Sequence, residues 1–261
     1  MEIAGKVAVV TGGAAGIGKA IARRLCDDGA SVLIADVDDE WGEEAAAELG
    51  DRGGTALYVT ADVSAENDVA GMVATAEAQL GGLDILVNNA FEGSRARFPD
   101  ATVEQWSRVL DVALRGPMLG IQYALEPMSR RGGGSILNVS SIAGLGTQPH
   151  SYPEYATAKA ALVRLTQTLA PLADERSVRV NCIAPDWTAT EFVRERFAGM
   201  TPEERAEATD GFGRPAPERF LEPSEVADAA VGLIRDDSLA GRTLVLWCGE
   251  APRLLPDDSW E

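Results

Sequence analysis

The chain reads as a doubly wound α/β domain, a seven-stranded parallel sheet with helices on both faces. Three observations predict this. Short apolar runs recur along the 261 residues and alternate with segments of helical period. The runs are continuously apolar rather than alternating, as strands covered on both faces require. The first run leads at once into a glycine-rich turn that opens a helix, the layout of a Rossmann-type fold.

Taken in order, the strands are expected at Val7–Thr11, Ser31–Ala35, Ala56–Thr60, Ile85–Val87, Ser135–Val139, Arg179–Ile183 and Thr243–Trp247. The helices between them are expected at Ile17–Asp28, Glu40–Leu49, Glu66–Leu80, Val103–Met128, Glu154–Ala173 and Ser224–Ile234. Pro117 and Pro171 fall inside two of these helical patterns, and each should kink or end its helix. Without an internal repeat or a low-complexity linker, residues 1–261 are expected to form one domain. Residues 190–223 break the rhythm with a long polar stretch after the sixth strand. At that edge of a doubly wound sheet the stretch is expected to be a substrate-covering flap.

Bulk properties narrow the partners. A formal net charge of −18 argues against nucleic acid or an anionic membrane surface as a partner. No apolar run approaches the roughly 20 residues needed to span a bilayer. Met1 to Lys6 lack the basic-then-apolar layout of a signal peptide. Cys26, Cys182 and Cys248 are scattered, odd in number and without metal-type spacing. They read as buried thiols of a cytoplasmic protein, with no metal site.

The residues that carry chemistry sit at the ends of the expected strands. In Thr11-Gly12-Gly13-Ala14-Ala15-Gly16-Ile17-Gly18, glycines allow positive φ and bring backbone N–H groups up to a pyrophosphate at a helix N-terminus. Asp36 ends the second strand, 18 residues after Gly18, where a carboxylate binds both ribose hydroxyls of an adenosine and repels a 2′-phosphate. Ala15 and Val37, its neighbours in this pattern, supply no cation, so NAD is expected over NADP. Asp62-Val63 after the third strand suits an adenine edge, and Asn88-Asn89-Ala90 after the fourth places amides at the same rim. Both also suit plain turns.

Tyr155-Ala156-Thr157-Ala158-Lys159 puts a phenol and an ammonium on one helix face. A tyrosine of ordinary pKa, about 10, is a poor base at neutral pH, and a nearby ammonium is expected to lower it. Ser141, at the end of the fifth strand, stands where it could donate to the same substrate oxygen.

These motifs, with Val180-Asn181 and Pro185, resemble those of the classical short-chain dehydrogenases/reductases over essentially the whole chain. The resemblance implies strand order 3-2-1-4-5-6-7 and hydride transfer between nicotinamide C4 and a secondary alcohol or ketone carbon. It implies Tyr155 as the acid/base, Lys159 as the group that lowers its pKa and binds the nicotinamide ribose, and Ser141 as the donor to the substrate oxygen. It further places Asn89 near a cofactor ribose, Pro185, Thr188 and Thr190 near the nicotinamide amide, and implies a homo-tetramer or homo-dimer. In that oligomer, the helices at Val103–Met128 and Glu154–Ala173 would meet at one interface.

The chain also departs from the family pattern. Ala113 stands where the family usually carries an Asn that holds a relay water, so proton relay is expected to be slower or rerouted. Phe91 replaces a glycine and is followed by Glu92, Asp186 replaces the glycine after Pro185, and the last strand lacks paired glycines. Drift within a working dehydrogenase accounts for these changes. So does a reshaped site for a non-redox elimination or isomerisation, or a nucleotide-binding protein without catalysis. Phe91, Glu92, His150, Trp187 and Phe192 are expected to line the substrate pocket, with Leu145 and Phe197 beside them. The mixture suits a bulky, partly apolar ketone.

Overall fold

The structure, a computed structural model, describes residues 1–93, 96–146, 150–201, 204 and 216–256. Strand β1 (Val7–Thr11) is mostly β-branched, which favours extended backbone, and all five of its residues are buried. It pairs in parallel with β2 (Ser31–Asp36) on one side and β4 (Ile85–Asn88) on the other. β3 (Thr55–Thr60), β5 (Gly134–Val139), β6 (Val178–Pro185), β7 (Thr243–Leu246) and β8 (Arg253–Leu255) complete the sheet. Its order is β3-β2-β1-β4-β5-β6-β7-β8, parallel throughout except for the antiparallel pair β7–β8.

Seven strands lie in the expected order, and β8 is an addition. Its three residues carry too short a pattern to stand out in sequence. Pairing of Leu254 with Leu244 and Leu255 with Thr243 makes them a strand.

The helices are α1 (Gly16–Asp27), α2 (Asp39–Asp51), α3 (Glu66–Thr75), α4 (Val103–Leu110), α5 (Gly116–Arg130), α6 (Pro153–Thr168), α7 (Leu172–Arg176), α8 (Glu191–Ala198) and α9 (Pro223–Arg235). Three expected long helices are interrupted. The one after β3 relaxes into a π-helical turn at Ala76–Leu80 and stops at Gly81, whose φ is 88°. The one expected over Val103–Met128 is α4 and α5 joined by a π-helical turn at Asp111–Arg115. Pro117 falls in the first turn of α5, where its missing N–H costs no bond. The helix expected to reach Ala173 ends at Thr168, and Pro171 caps the short α7 instead.

One apolar layer, with Ile21, Leu25, Ile34, Leu49 and Val231, fills the space between the sheet and α1, α2 and α9. The other, with Leu33, Met72, Leu86, Met128 and Ile136, lies under α3 and α5. Coverage on both faces is why the strands are continuously apolar. Each buried Leu or Ile contributes roughly 1.5–3 kcal/mol over an exposed one. Among the described residues, no helix is long and apolar enough to cross a membrane.

Candidate active site

The carboxyl ends of β1, β2, β4, β5 and β6 meet along one rim, the edge at which doubly wound sheets take ligands. At the end of β1 the chain turns through Gly12 and Gly16, with φ of 61° and 55°, values that disfavour any residue bearing a Cβ. Gly18 is required by space. A Cβ there would stand 2.0 Å from the Gly12 carbonyl oxygen and 2.5 Å from Asn89 Nδ2. Ile17 between them packs on the core.

Asn89 holds this turn closed, its Nδ2 donating to the carbonyls of Thr11 at 3.1 Å and Gly12 at 2.9 Å. The Thr11 hydroxyl accepts from Asn89 N and Ala90 N and donates to the Val87 carbonyl. The amide expected near a cofactor ribose thus shapes the glycine turn.

Asp36 is aimed at the same turn. One of its oxygens accepts from Ala14 N at 3.0 Å, the other from Val37 N at 2.8 Å and Asp38 N at 3.3 Å. Further along, Asp62 accepts from Ser64 through both backbone and hydroxyl, and from Arg108 Nη1 at 2.8 Å. Burial works against its ionisation, but Arg108 and Ser64 outweigh it and hold Asp62 below the usual carboxylate range. Val63 is buried against Gly116, where a Cβ would come within 2.9 Å of the valine side chain. Arg108 also donates to Glu92 at 2.6 Å, so one guanidinium joins Asp62 to the segment that carries Phe91.

Ser141, Tyr155 and Lys159 come together because β5 and α6 are clamped. Ser140 Oγ donates to the Lys159 carbonyl at 2.7 Å, and a Cβ on Gly144 would stand 2.4 Å from the Lys159 carbonyl carbon. Ser141 Oγ accepts from Ala143 N at 3.1 Å, and its hydroxyl is near enough to favour the Tyr155 phenolate. Behind the site, Asn88 donates to Asn138 at 2.9 Å and Asn138 to Thr166 at 3.0 Å, a buried polar chain across β4, β5 and α6.

The Lys159 ammonium is buried, donates to the Val139 carbonyl at 2.8 Å, and lies 5.8 Å from the Tyr155 ring centroid. Burial brings it down to about 8, against a smaller opposing effect of the buried Cys182 beside it. The lowered tyrosine expected from the i, i+4 spacing is corrected here. Burial pushes the Tyr155 phenol above its ordinary range, and the Ser141 hydroxyl only partly opposes it. Spacing along a helix brings the two side chains together, but the ammonium is turned to the Val139 carbonyl and burial of the phenol dominates.

Two further rings frame this group. The Phe91 ring lies 4.9 Å from that of Tyr155 and 5.5 Å from the Lys159 ammonium, and Phe91 remains 49% exposed. The His150 ring lies tilted, 5.8 Å from that of Tyr155, while its Nδ1 accepts from Tyr152 N at 3.0 Å. The other candidate substrate residues lie apart. Trp187 is stacked on Phe220 at 5.5 Å and meets Phe197 edge-on, so that the three rings pack together. Phe192 points outward, 75% exposed.

Pro185 ends β6, and Asp186 turns toward β7, accepting from Cys248 N at 3.3 Å. Thr188 is buried with its hydroxyl on the Asp186 carbonyl, and Thr190 caps α8. Ala113 is buried within the π-helical turn, a feature that often marks functional sites. Most of the middle of the expected flap, including Gly211-Phe212-Gly213-Arg214-Pro215, lies outside the described residues.

Several contributors had no signal in sequence. Arg108, Ser140, Asn138, Thr166 and Glu191 act through partners 19 to 175 residues away. Only Asn138, a polar residue inside an apolar strand, could have been suspected.

This fold is that of enzymes which work on a substrate beside a bound dinucleotide. The family model for the short chain dehydrogenases matches residues 6–201. An uncharacterized oxidoreductase of Thermotoga maritima is 38% identical over 237 residues, 91% of each chain. The cis-4-hydroxycyclohexanecarboxylate dehydrogenase of Sinomonas cyclohexanicum is 40% identical over 232 residues, 88% of this chain and 90% of its own. Among solved structures, a 7 alpha-hydroxysteroid dehydrogenase in complex with NADH and 7-oxo glycochenodeoxycholic acid superposes with a TM-score of 0.83. It is 29% identical, with 95% of each chain covered. The chain belongs to the short-chain dehydrogenase family. It is an oxidoreductase that interconverts an alcohol and a ketone with a nicotinamide cofactor.

Proposed function

We propose that the protein is an NAD-dependent dehydrogenase of a ring-bearing secondary alcohol or its ketone, folded as one domain, with Tyr155 as its acid/base. The observation that carries this reading is the clamp of β5 onto α6, which brings Ser141, Tyr155 and the buried Lys159 to the rim that the glycine turn shares. The turn fits a dinucleotide, because Gly18 and Gly12 keep side-chain atoms out of a loop already folded against Asn89. Gly12, Gly16, Ile17 and Gly18 would hold the pyrophosphate, Asp36 the adenosine ribose, and Asp62 with Val63 the adenine. Asn89, Lys159, Pro185, Thr188 and Thr190 would lie toward the nicotinamide. Asp36 favours NAD over NADP, and Lys19, which lines the cleft beside Ala14 and Ala15, is already paired with Glu48 at 2.9 Å.

When bound, the nicotinamide ring supplies the hydride donor or acceptor. The protein's own groups manage the proton. Burial keeps the Tyr155 phenol protonated at neutral pH, ready to be given to a carbonyl oxygen. Ser141 would donate to the same oxygen, and in the oxidative direction its hydroxyl favours the phenolate. Phe91 and His150, which flank Tyr155, would touch the substrate, with Glu92 held beside them by Arg108. Residues 190–223 would cover it, with Trp187 at the base of that flap and Phe192 at its outer face. The names of the cyclohexane-acting relative and of the hydroxysteroid dehydrogenase support a cyclic alcohol.

Three free cysteines support a cytoplasmic enzyme. Exposed Val103 and Met118 support a homo-dimer or homo-tetramer through α4 and α5, to be checked by sedimentation.

The test is turnover of a panel of cyclic secondary alcohols with NAD⁺ and with NADP⁺. Turnover with NAD⁺ is expected, and Tyr155→Phe should lower it by about 10²–10⁴-fold while NADH still binds. A Tyr155→Phe enzyme as fast as the parent defeats the mechanism, and a preference for NADP⁺ defeats the role of Asp36.

A further inference from the structure

The first turn of α8 lies directly on the glycine turn. Thr190 N donates to the Thr188 carbonyl at 2.8 Å, and Thr190 Cγ2 stands 3.1 Å from where a Cβ on Gly16 would be. The next residue, Glu191, places Oε2 3.0 Å from Gly16 N and accepts its hydrogen bond. Gly16 is the first residue of α1, so an anion from the flap occupies an N-terminal N–H of the helix that opens the cradle.

The named lining of the groove and cleft around this carboxylate is mostly acidic, with Lys19 as a cation in the cleft it shares with Glu191. Glu195 lines the same groove of about 340 Å³ with Trp41 and Phe192, Glu44 lines the adjoining cleft, and Lys19 is spent on Glu48. The far end of α8 is held differently. Phe197 packs on Trp187 and Phe220, and Arg194 joins Glu222 at 2.6 Å. The backbone leading into the helix is also fixed, by Ala189 N on the Leu221 carbonyl and Arg194 Nε on the Ala189 carbonyl, whereas the Glu191 side chain is held by an exposed hydrogen bond that a competing anion can take over.

We infer that Glu191 is an internal competitor for the cofactor's pyrophosphate. Its carboxylate holds the Gly16 N–H until a phosphate oxygen displaces it, so that cofactor docking frees the Glu191 side chain. This inference rests on the reading of the glycine turn as the pyrophosphate cradle. A contact that must break before binding lowers the apparent affinity by the fraction of molecules in which it is already broken. Because the contact is exposed, that fraction corresponds to a modest factor, about three- to tenfold.

The experiment is calorimetric titration of ADP, NADH and adenosine into the parent protein and into Glu191→Ala, Glu191→Gln and Glu195→Gln. Glu195→Gln removes a neighbouring charge without removing the contact. Both Glu191 variants are expected to bind ADP and NADH about three- to tenfold more tightly, with Ala at least as effective as Gln. Adenosine, which carries no phosphate, should bind all four proteins alike, and Glu195→Gln should gain less than about twofold. If the parent binds neither ADP nor NADH, the cradle reading itself falls. If the parent binds both but the Glu191 variants bind no more tightly, or Glu195→Gln gains as much, the competitor role is overturned and the cofactor reading stands.

Discussion

The two halves of the ligand rim are built by different means. At the ends of β1 and β2 the surface is made of backbone. Glycines 12, 16 and 18 set its shape, Asn89 ties it with two carbonyl bonds, and Asp36 is oriented by three backbone N–H groups. At the ends of β4, β5 and β6 the surface is made of side chains. Phe91, His150 and Tyr155 pack ring on ring, Lys159 is buried behind them, and Arg108 bridges Asp62 and Glu92. A backbone cradle tolerates almost no substitution at its glycines but exerts no control over titration. A side-chain wall tolerates exchange of its rings, while its burial sets which groups carry a proton.

The sharpest way to break the comparison is Gly18→Ala. The new methyl would meet the Gly12 carbonyl oxygen at 2.0 Å, and because that oxygen is backbone the turn must open. Loss of NADH binding by about 100-fold or more and destabilisation of about 1–3 kcal/mol are expected, read by titration and thermal unfolding. A variant that binds NADH normally would show that the turn is not the cradle.

Lys159→Met tests the opposite half. This lysine is buried and titrates at about 8 in the fold against 10.5 ordinarily, so the unfolded chain binds the proton more readily. The burial penalty is present in full below pH 8 and fades as pH rises through 10.5. Removing the charge should therefore stabilise the protein at pH 7 by about 1–2 kcal/mol, after loss of the bond to Val139, while turnover collapses. The gain should vanish near pH 10.5 in a series of melts. A Lys159→Met protein less stable than the parent at pH 7 would contradict this account of the buried ammonium.

The smallest effect belongs to Asp36→Ala. The Ala14 N–H loses its acceptor, the repulsion of a 2′-phosphate disappears, and discrimination between NAD⁺ and NADP⁺ should narrow by about tenfold. Unchanged discrimination would place cofactor choice elsewhere.

The backbone-built half was the more legible from sequence, for a physical reason. Glycines 12, 16 and 18 act through local φ and local space, and Asp36 through the end of its own strand, so short-range pattern carries the information. The side-chain half was legible only in its membership. Ser141, Tyr155 and Lys159 do meet, and Phe91 does stand beside them. The sign of the tyrosine shift was not accessible, because it depends on burial and on the ammonium's choice of the Val139 carbonyl. Trp187 shows the same limit from the other side. An aromatic residue at the rim suggested a pocket wall, yet its ring is stacked on Phe220, which lies 33 positions later in the chain.

By itself, the order of residues determined the parallel strands, the glycine turn, the acidic end of β2 and the Tyr155–Lys159 face of α6. Each is a matter of hydrophobic period, positive φ or helical repeat, all of which act over a few residues. Only the tertiary structure decided that Asn89 holds the turn, that Arg108 links Asp62 to Glu92, and that Asp186 turns toward Cys248. It alone set Glu191 on Gly16 and added β8 to the sheet edge. Those outcomes depend on which donors and acceptors burial brings within hydrogen-bonding distance, and that is set by the packing of distant segments.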